Sequence, residues 1–157
     1  MKSKTSAKDL TKGPPRSPRS RLGGYVILAR TIDKCRALIW GNIGQYDFDC
    51  PLDNMLFGFR AISAEEFKAM IQKGATDRDV VNWLQSRRPH KTSEEVKQWS
   101  DSIESIHPFD DSEPRHPLAP SRRWFVDQVT PLEIDPKSSS LFDFLDADDK
   151  ATFVGTA

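Results

Sequence analysis

Cysteine is scarce in this sequence, with two residues, Cys35 and Cys50, in a chain of 157. Two thiols make no disulfide framework and leave a zinc site short of ligands. They read as free, partly buried thiols, and a redox pair requires the fold to bring them together. Long apolar runs are also missing. The longest, Tyr25 to Ala29, falls far short of the roughly 20 residues a bilayer requires, so no membrane partner is expected. Gly13, Pro14, Pro15 and Pro18 stand where a secretory leader would have its apolar stretch, which predicts no leader and a cytoplasmic location. There is no Walker loop, dinucleotide fingerprint or Gly-x-Ser-x-Gly elbow. No cofactor is implied.

Excess charge is absent overall, since 23 basic residues meet 23 acidic ones, but the balance is uneven. Residues 1–24 hold seven basic residues against one acidic, for +6. Residues 25–100 come to +1, with eleven against ten, and residues 101–157 to −7, with five against twelve. A basic head and an acidic tail predict attraction within the monomer. Nucleic acid is the less expected partner, because a dedicated binder keeps a net positive domain.

The composition, 37% apolar and 29% charged, and the length fit one domain with one core. Residues 1–8 read as a flexible tail and 9–157 as a single, mainly α domain. Within it we expect an extended Pro/Arg-rich arm at 9–24, a helical core at 25–105, a loop at 106–120, and C-terminal helices with a tail at 121–157. Prolines 14, 15 and 18 keep the arm out of a helix.

After Gly23-Gly24, the spacing of Tyr25, Leu28, Ile32 and Cys35 predicts a helix ending near Gly41. Its other face carries Arg30, Asp33, Lys34 and Arg36, placed for ion pairs along the helix surface. Alternation of Tyr46 and Phe48 with Asp47 and Asp49 predicts a small β-like insert at 43–49. Pro51 suits the first turn of a helix through Phe59. Capping patterns at Ser63, Thr76 or Asp77, and Thr92 open three more helices. Arg122 to Val129 and Leu141 onward add two, and Phe153-Val154 is read as an extended tail.

Several segments carry a resemblance. They are Asp9-Leu10-Thr11-Lys12 with Pro14-Pro15-Arg16-Ser17-Pro18-Arg19, Leu22-Gly23-Gly24-Tyr25, Asp33-Lys34-Cys35-Arg36-Ala37, Cys50-Pro51-Leu52-Asp53, and Phe142 to Asp149. Across nearly its whole length the chain resembles bacterial proteins grouped as a domain of unknown function, DUF5069. The resemblance implies a full-length single domain and supplies no catalytic residue.

The leading site candidate is the arm and the helix it enters. Arg16, Arg19, Arg21 and Lys34, with Gly23 and Gly24 before free helix amides, offer an anionic or phosphorylated ligand paired hydrogen bonds and a positive dipole end. Against this stands an arm that wraps the domain and pairs its arginines with the acidic tail. Pro15-Arg16-Ser17-Pro18 also fits a minimal proline-rich docking pattern. Asp143, Asp146, Asp148 and Asp149 invite a calcium loop, but from Asp146 its sixth and twelfth positions fall on Ala151 and Ala157, so no metal is expected. His90, His107 and His116 sit at no ligand spacing. Cys50 lies where a helix N-terminus would partly activate it, with an inert thiol as the alternative. Among the tryptophans, Trp40 is the one placed to line a cleft.

The expectation is therefore a non-catalytic binding or interaction module, possible partners being an anionic small molecule or a protein. The alternative is a small enzyme with its site between the arm and Asp33, Cys50 and Asp53.

Overall fold

Short polar side chains set where the helices begin. In the computed structural model, which describes residues 7–110 and 115–153, Ser63, Thr76, Thr92, Ser121 and Ser140 each accept a backbone amide at a helix start. At all of these but Ser121, an acidic residue three positions on reaches back to the cap amide, closing two orphan donors at once. The helices are α1 (Leu28–Trp40), α2 (Pro51–Arg60), α3 (Ala64–Gln72), α4 (Asp77–Ser86), α5 (Ser93–Glu104), α6 (Arg122–Val129) and α7 (Leu141–Thr152). A short 3-10 turn, Thr130–Leu132, follows α6.

Helix α1 starts three residues later than its apolar spacing suggests. Gly23 and Gly24 both have positive φ, 58° and 87°, and an antiparallel bridge joins Leu22 to Tyr25. That pairing with two left-handed central residues is a tight hairpin turn. The glycines thus belong to a turn, and the helix opens after Ile27, itself left-handed at φ 74°.

Every residue from Tyr25 to Cys35 is buried. The surface face read for α1 is therefore inside: Arg30, Asp33 and Lys34 are 4%, 2% and 3% exposed. None pairs along its own helix, because carboxylates and cations on other segments cover that face. Leu28, Ile32 and Cys35 meet Leu56, Phe57, Phe67, Val80, Leu84 and Phe142 in one core cluster. Phe48, Phe57 and Phe67 lie with ring centroids 5.3–6.1 Å apart, and Phe59 stacks on Trp99 at 4.6 Å.

The β-like insert at 43–49 is not formed, and no strand occurs among the described residues. Gly41, Gly44 and Asp49 adopt positive φ of 80°, 63° and 67°, which breaks any extended run and leaves no edge to pair. The alternation has another cause. Tyr46 turns its hydroxyl to Asp149, while Phe48 enters the core rings.

Expectations for residues 1–6, for 111–114 of the loop and for Val154 lie outside the described residues. Among the described residues, no helix is long and apolar enough to cross a membrane.

Candidate functional site

The inward polar face of α1 organises two buried charge groups. Arg30 donates both terminal nitrogens to Asp149 of α7, at 2.7 and 2.9 Å. The Tyr46 hydroxyl donates to the same carboxylate at 2.8 Å, and the guanidinium lies 5.5 Å from the centre of the Tyr46 ring. Burial opposes the charge of Arg30, yet Asp149 outweighs it and holds the guanidinium above its ordinary value. Burial, then the bond to Asp149, pushes the Tyr46 phenol up.

One turn further along α1, Lys34 donates to Asp53 at 3.0 Å, and the Thr31 hydroxyl to the same carboxylate at 2.7 Å. Asp53 is fully buried and also takes the Asp49 amide at 3.0 Å. Lys34 Nζ has a second acceptor, the sulfur of Cys50, at 3.2 Å.

The arm residues do not converge on a common point. Arg16 reaches Asp33 of α1 at 3.0 Å and Asp77 of α4 at 2.9 Å. Arg19 bridges Asp143 and Asp146 of α7 at 2.8 and 2.9 Å, and Arg21 joins Asp101 and Glu104 of α5 at 2.8 and 2.9 Å. Lys34 lies behind the arm, on Asp53. Each cation thus carries its own carboxylate partner, and the arm laces four helices together. Its Arg19 contacts are those of a basic head on an acidic tail. Gly23 and Gly24 shape the hairpin turn, and Tyr25, Val26 and Ile27 separate them from the first turn of α1.

Of the rival set, Cys50 and Asp53 are brought together at the start of α2, where the Cys50 amide donates to the Asp53 carboxylate at 3.4 Å. Asp33 is engaged by Arg16 instead. The two thiols differ sharply. Cys35 is buried, and burial pushes it up to about 12, whereas Cys50 is partly exposed.

Cys50 also borders a cleft of about 490 Å³ between α2, α6 and α7, walled by Leu52, Met55, Trp124, Leu141 and Leu145. That volume lies in the range of small-molecule sites, and such sites are mostly apolar with few polar groups. Trp124 stands 42% exposed on the wall and meets Phe144 edge-on at 5.8 Å. The tryptophan at the cleft is thus Trp124, while Trp40 is at the end of α1 beside exposed Leu38 and Ile39. Met55 and Leu145 carried no sequence signal beyond apolarity, since the cleft arises only when α2 meets α7. Among the described residues, no three histidine, cysteine or acidic side chains are grouped to hold a metal.

A family profile described as Domain of unknown function (DUF5069) matches residues 12–151. The chain belongs to this family. Among curated proteins, nothing matches it. In this DUF5069 member, the segments that carried the resemblance meet in space: the arm, the start of α2 and the acidic face of α7 all close on the buried polar side of α1.

Proposed function

We propose that this DUF5069 protein is a non-catalytic binding module, working in the cytoplasm, whose ligand is a small, largely apolar molecule held in the cleft beside Cys50. The observation that supports this is the cleft itself: about 490 Å³ of apolar-walled space with Trp124 half exposed on one side. Burying apolar ligand surface there gains about 25 cal/mol per Å² before association costs. The arm is less suited to an anionic ligand, because such a ligand must displace Asp33, Asp77, Asp143, Asp146, Asp101 and Glu104 from arginines they already satisfy.

The test is equilibrium binding of the amphipathic fluorophore anilinonaphthalene sulfonate to the full chain and to Met55→Glu. Met55 is partly exposed on α2, so a glutamate there places a negative charge on the cleft wall that opposes both the apolar rings and the sulfonate. We expect saturable one-to-one binding that weakens roughly tenfold in the variant, equivalent to about 1.4 kcal/mol. Equal affinity for both proteins contradicts the cleft as the site.

The rival reading, a small enzyme at Asp33, Cys50 and Asp53, has one observation in its favour, the Lys34 ammonium 3.2 Å from the Cys50 sulfur. A nucleophile and a cation in contact beside a cleft are parts of a covalent site.

A further inference from the structure

The binding reading leaves that contact without a role, although the contact lies on the cleft's edge. One donor contacts the sulfur of Cys50, the Lys34 ammonium at 3.2 Å. It places a cation in contact with a nucleophilic atom. The ammonium is fixed, because Lys34 is 3% exposed and anchored on Asp53, which is itself held by Thr31 and the Asp49 amide. Cys50 itself is partly exposed and lines the cleft.

We propose that Cys50 is a covalent capture site for small apolar disulfides, forming a mixed disulfide whose organic group lies in the cleft. The step is a thiol–disulfide exchange. The Cys50 sulfur attacks one sulfur of the incoming disulfide, and a new S–S bond forms as the old one breaks. The expelled half leaves with the bonding electron pair and takes up the proton that Cys50 gives up. Cys50 is oxidised, the expelled sulfur is reduced, and no further reactant is needed. Selection for apolar groups rests on the cleft reading above: Leu52, Met55, Trp124 and Leu145 flank the place where the captured group must sit. A captured group and a non-covalent ligand then compete for one space.

Cys35 supplies an internal control, because it is fully buried and its thiol is pushed up to about 12. The experiment uses the reduced full chain, native and unfolded in urea, with two reagents: dithiodipyridine, which is aromatic and uncharged, and bis(hydroxyethyl) disulfide, which is hydrophilic. Intact and peptide mass spectrometry locate the adduct, and its appearance gives the rate. The native protein is expected to take one adduct, at Cys50. Its reaction with the aromatic reagent should be roughly tenfold faster than that of the unfolded chain, with a smaller gain for the hydrophilic one. Native Cys50 reacting no faster than the unfolded chain with either reagent overturns the proposal. Cys50→Ser separates this failure from that of the cleft, since serine caps α2 equally well. If Cys50→Ser still binds the fluorophore while the native thiol is slow, capture falls and the cleft stands. If both reagents are accelerated equally and the fluorophore does not bind, the cleft reading falls while the thiol still captures.

Discussion

Asp149 receives both terminal nitrogens of Arg30, 119 residues away along the chain, at 2.7 and 2.9 Å in a site where both side chains are under a tenth exposed. The pair locks the last helix onto the central one. A buried pair gains little over an apolar substitute, yet breaking it strands a charge. Asp149→Ala should therefore cost about 3–5 kcal/mol in urea unfolding. The double variant Arg30→Met/Asp149→Leu should recover much of that loss, and a cycle with no coupling between the two positions contradicts the account.

The arm's ion pairs predict a one-sided pH response. Burial pushes the carboxyls of Asp77 and Asp143 up, but Arg16 and Arg36 at the first, and the Ser140 amide with Arg19 at the second, outweigh it and hold both below the ordinary value of 3.8. With the folded value depressed, the unfolded chain binds more protons, so stability rises with pH through this range. The contribution is complete above the ordinary aspartate value and is lost as pH falls through the lower folded values. Asp148, raised by burial and by Asp149, acts in the opposite sense. Arg19→Gln should lower neutral stability by only about 0.5 kcal/mol, because the pairs are 38–47% exposed. It should also flatten the acid limb, as read from unfolding free energies at a series of pH values.

Arg60 is fully buried and has no carboxylate among its hydrogen bonds; it donates to the carbonyls of Leu84, Arg87 and Pro89 at 2.7–3.0 Å. A cation on the carbonyl end of α4 satisfies groups the helix leaves open and meets its negative dipole end. Arg60→Met strands these acceptors, and urea unfolding should show a loss of about 2–4 kcal/mol. Arg60→Lys, with one donor group, should fall between.

Gly23 carries a different constraint. At φ 58°, an added Cβ would stand 2.6 Å from a methyl of Val81. Backbone strain and overpacking each cost about 1–2 kcal/mol, so Gly23→Ala should lower stability by about 2–4 kcal/mol in thermal or urea unfolding. Val81→Ala in the same chain should recover the overpacking part alone.

What the sequence exposes follows from how local the cause is. Capping patterns at Ser63, Thr76 and Thr92 involve a side chain and an amide three residues apart, so they mark α3, α4 and α5 without reference to the rest of the fold. The polar face of α1 misleads, because Arg30 and Lys34 look like surface cations until Asp149 and Asp53 are known to lie against them. Tyr46 and Phe48 imitate a strand for a similar reason: each answers a distant partner rather than a neighbour. The cleft is still less visible, since its walls come from α2, α6 and α7 and share no motif. Cys50 is the exception, where Pro51 marks the helix start and hence the thiol's position on it.

The most direct measurement of the central claim is a heteronuclear NMR titration of the nitrogen-15-labelled full chain with anilinonaphthalene sulfonate, following the four tryptophan indole signals. Trp124 stands on the cleft wall and Trp40 at the exposed end of α1, while Trp83 and Trp99 pack against the core. Binding in the cleft predicts that the Trp124 indole shifts saturably while the other three hold still, and that Met55→Glu weakens the titration. A shift of Trp40 alone, or no movement at Trp124 at saturating fluorophore, contradicts it.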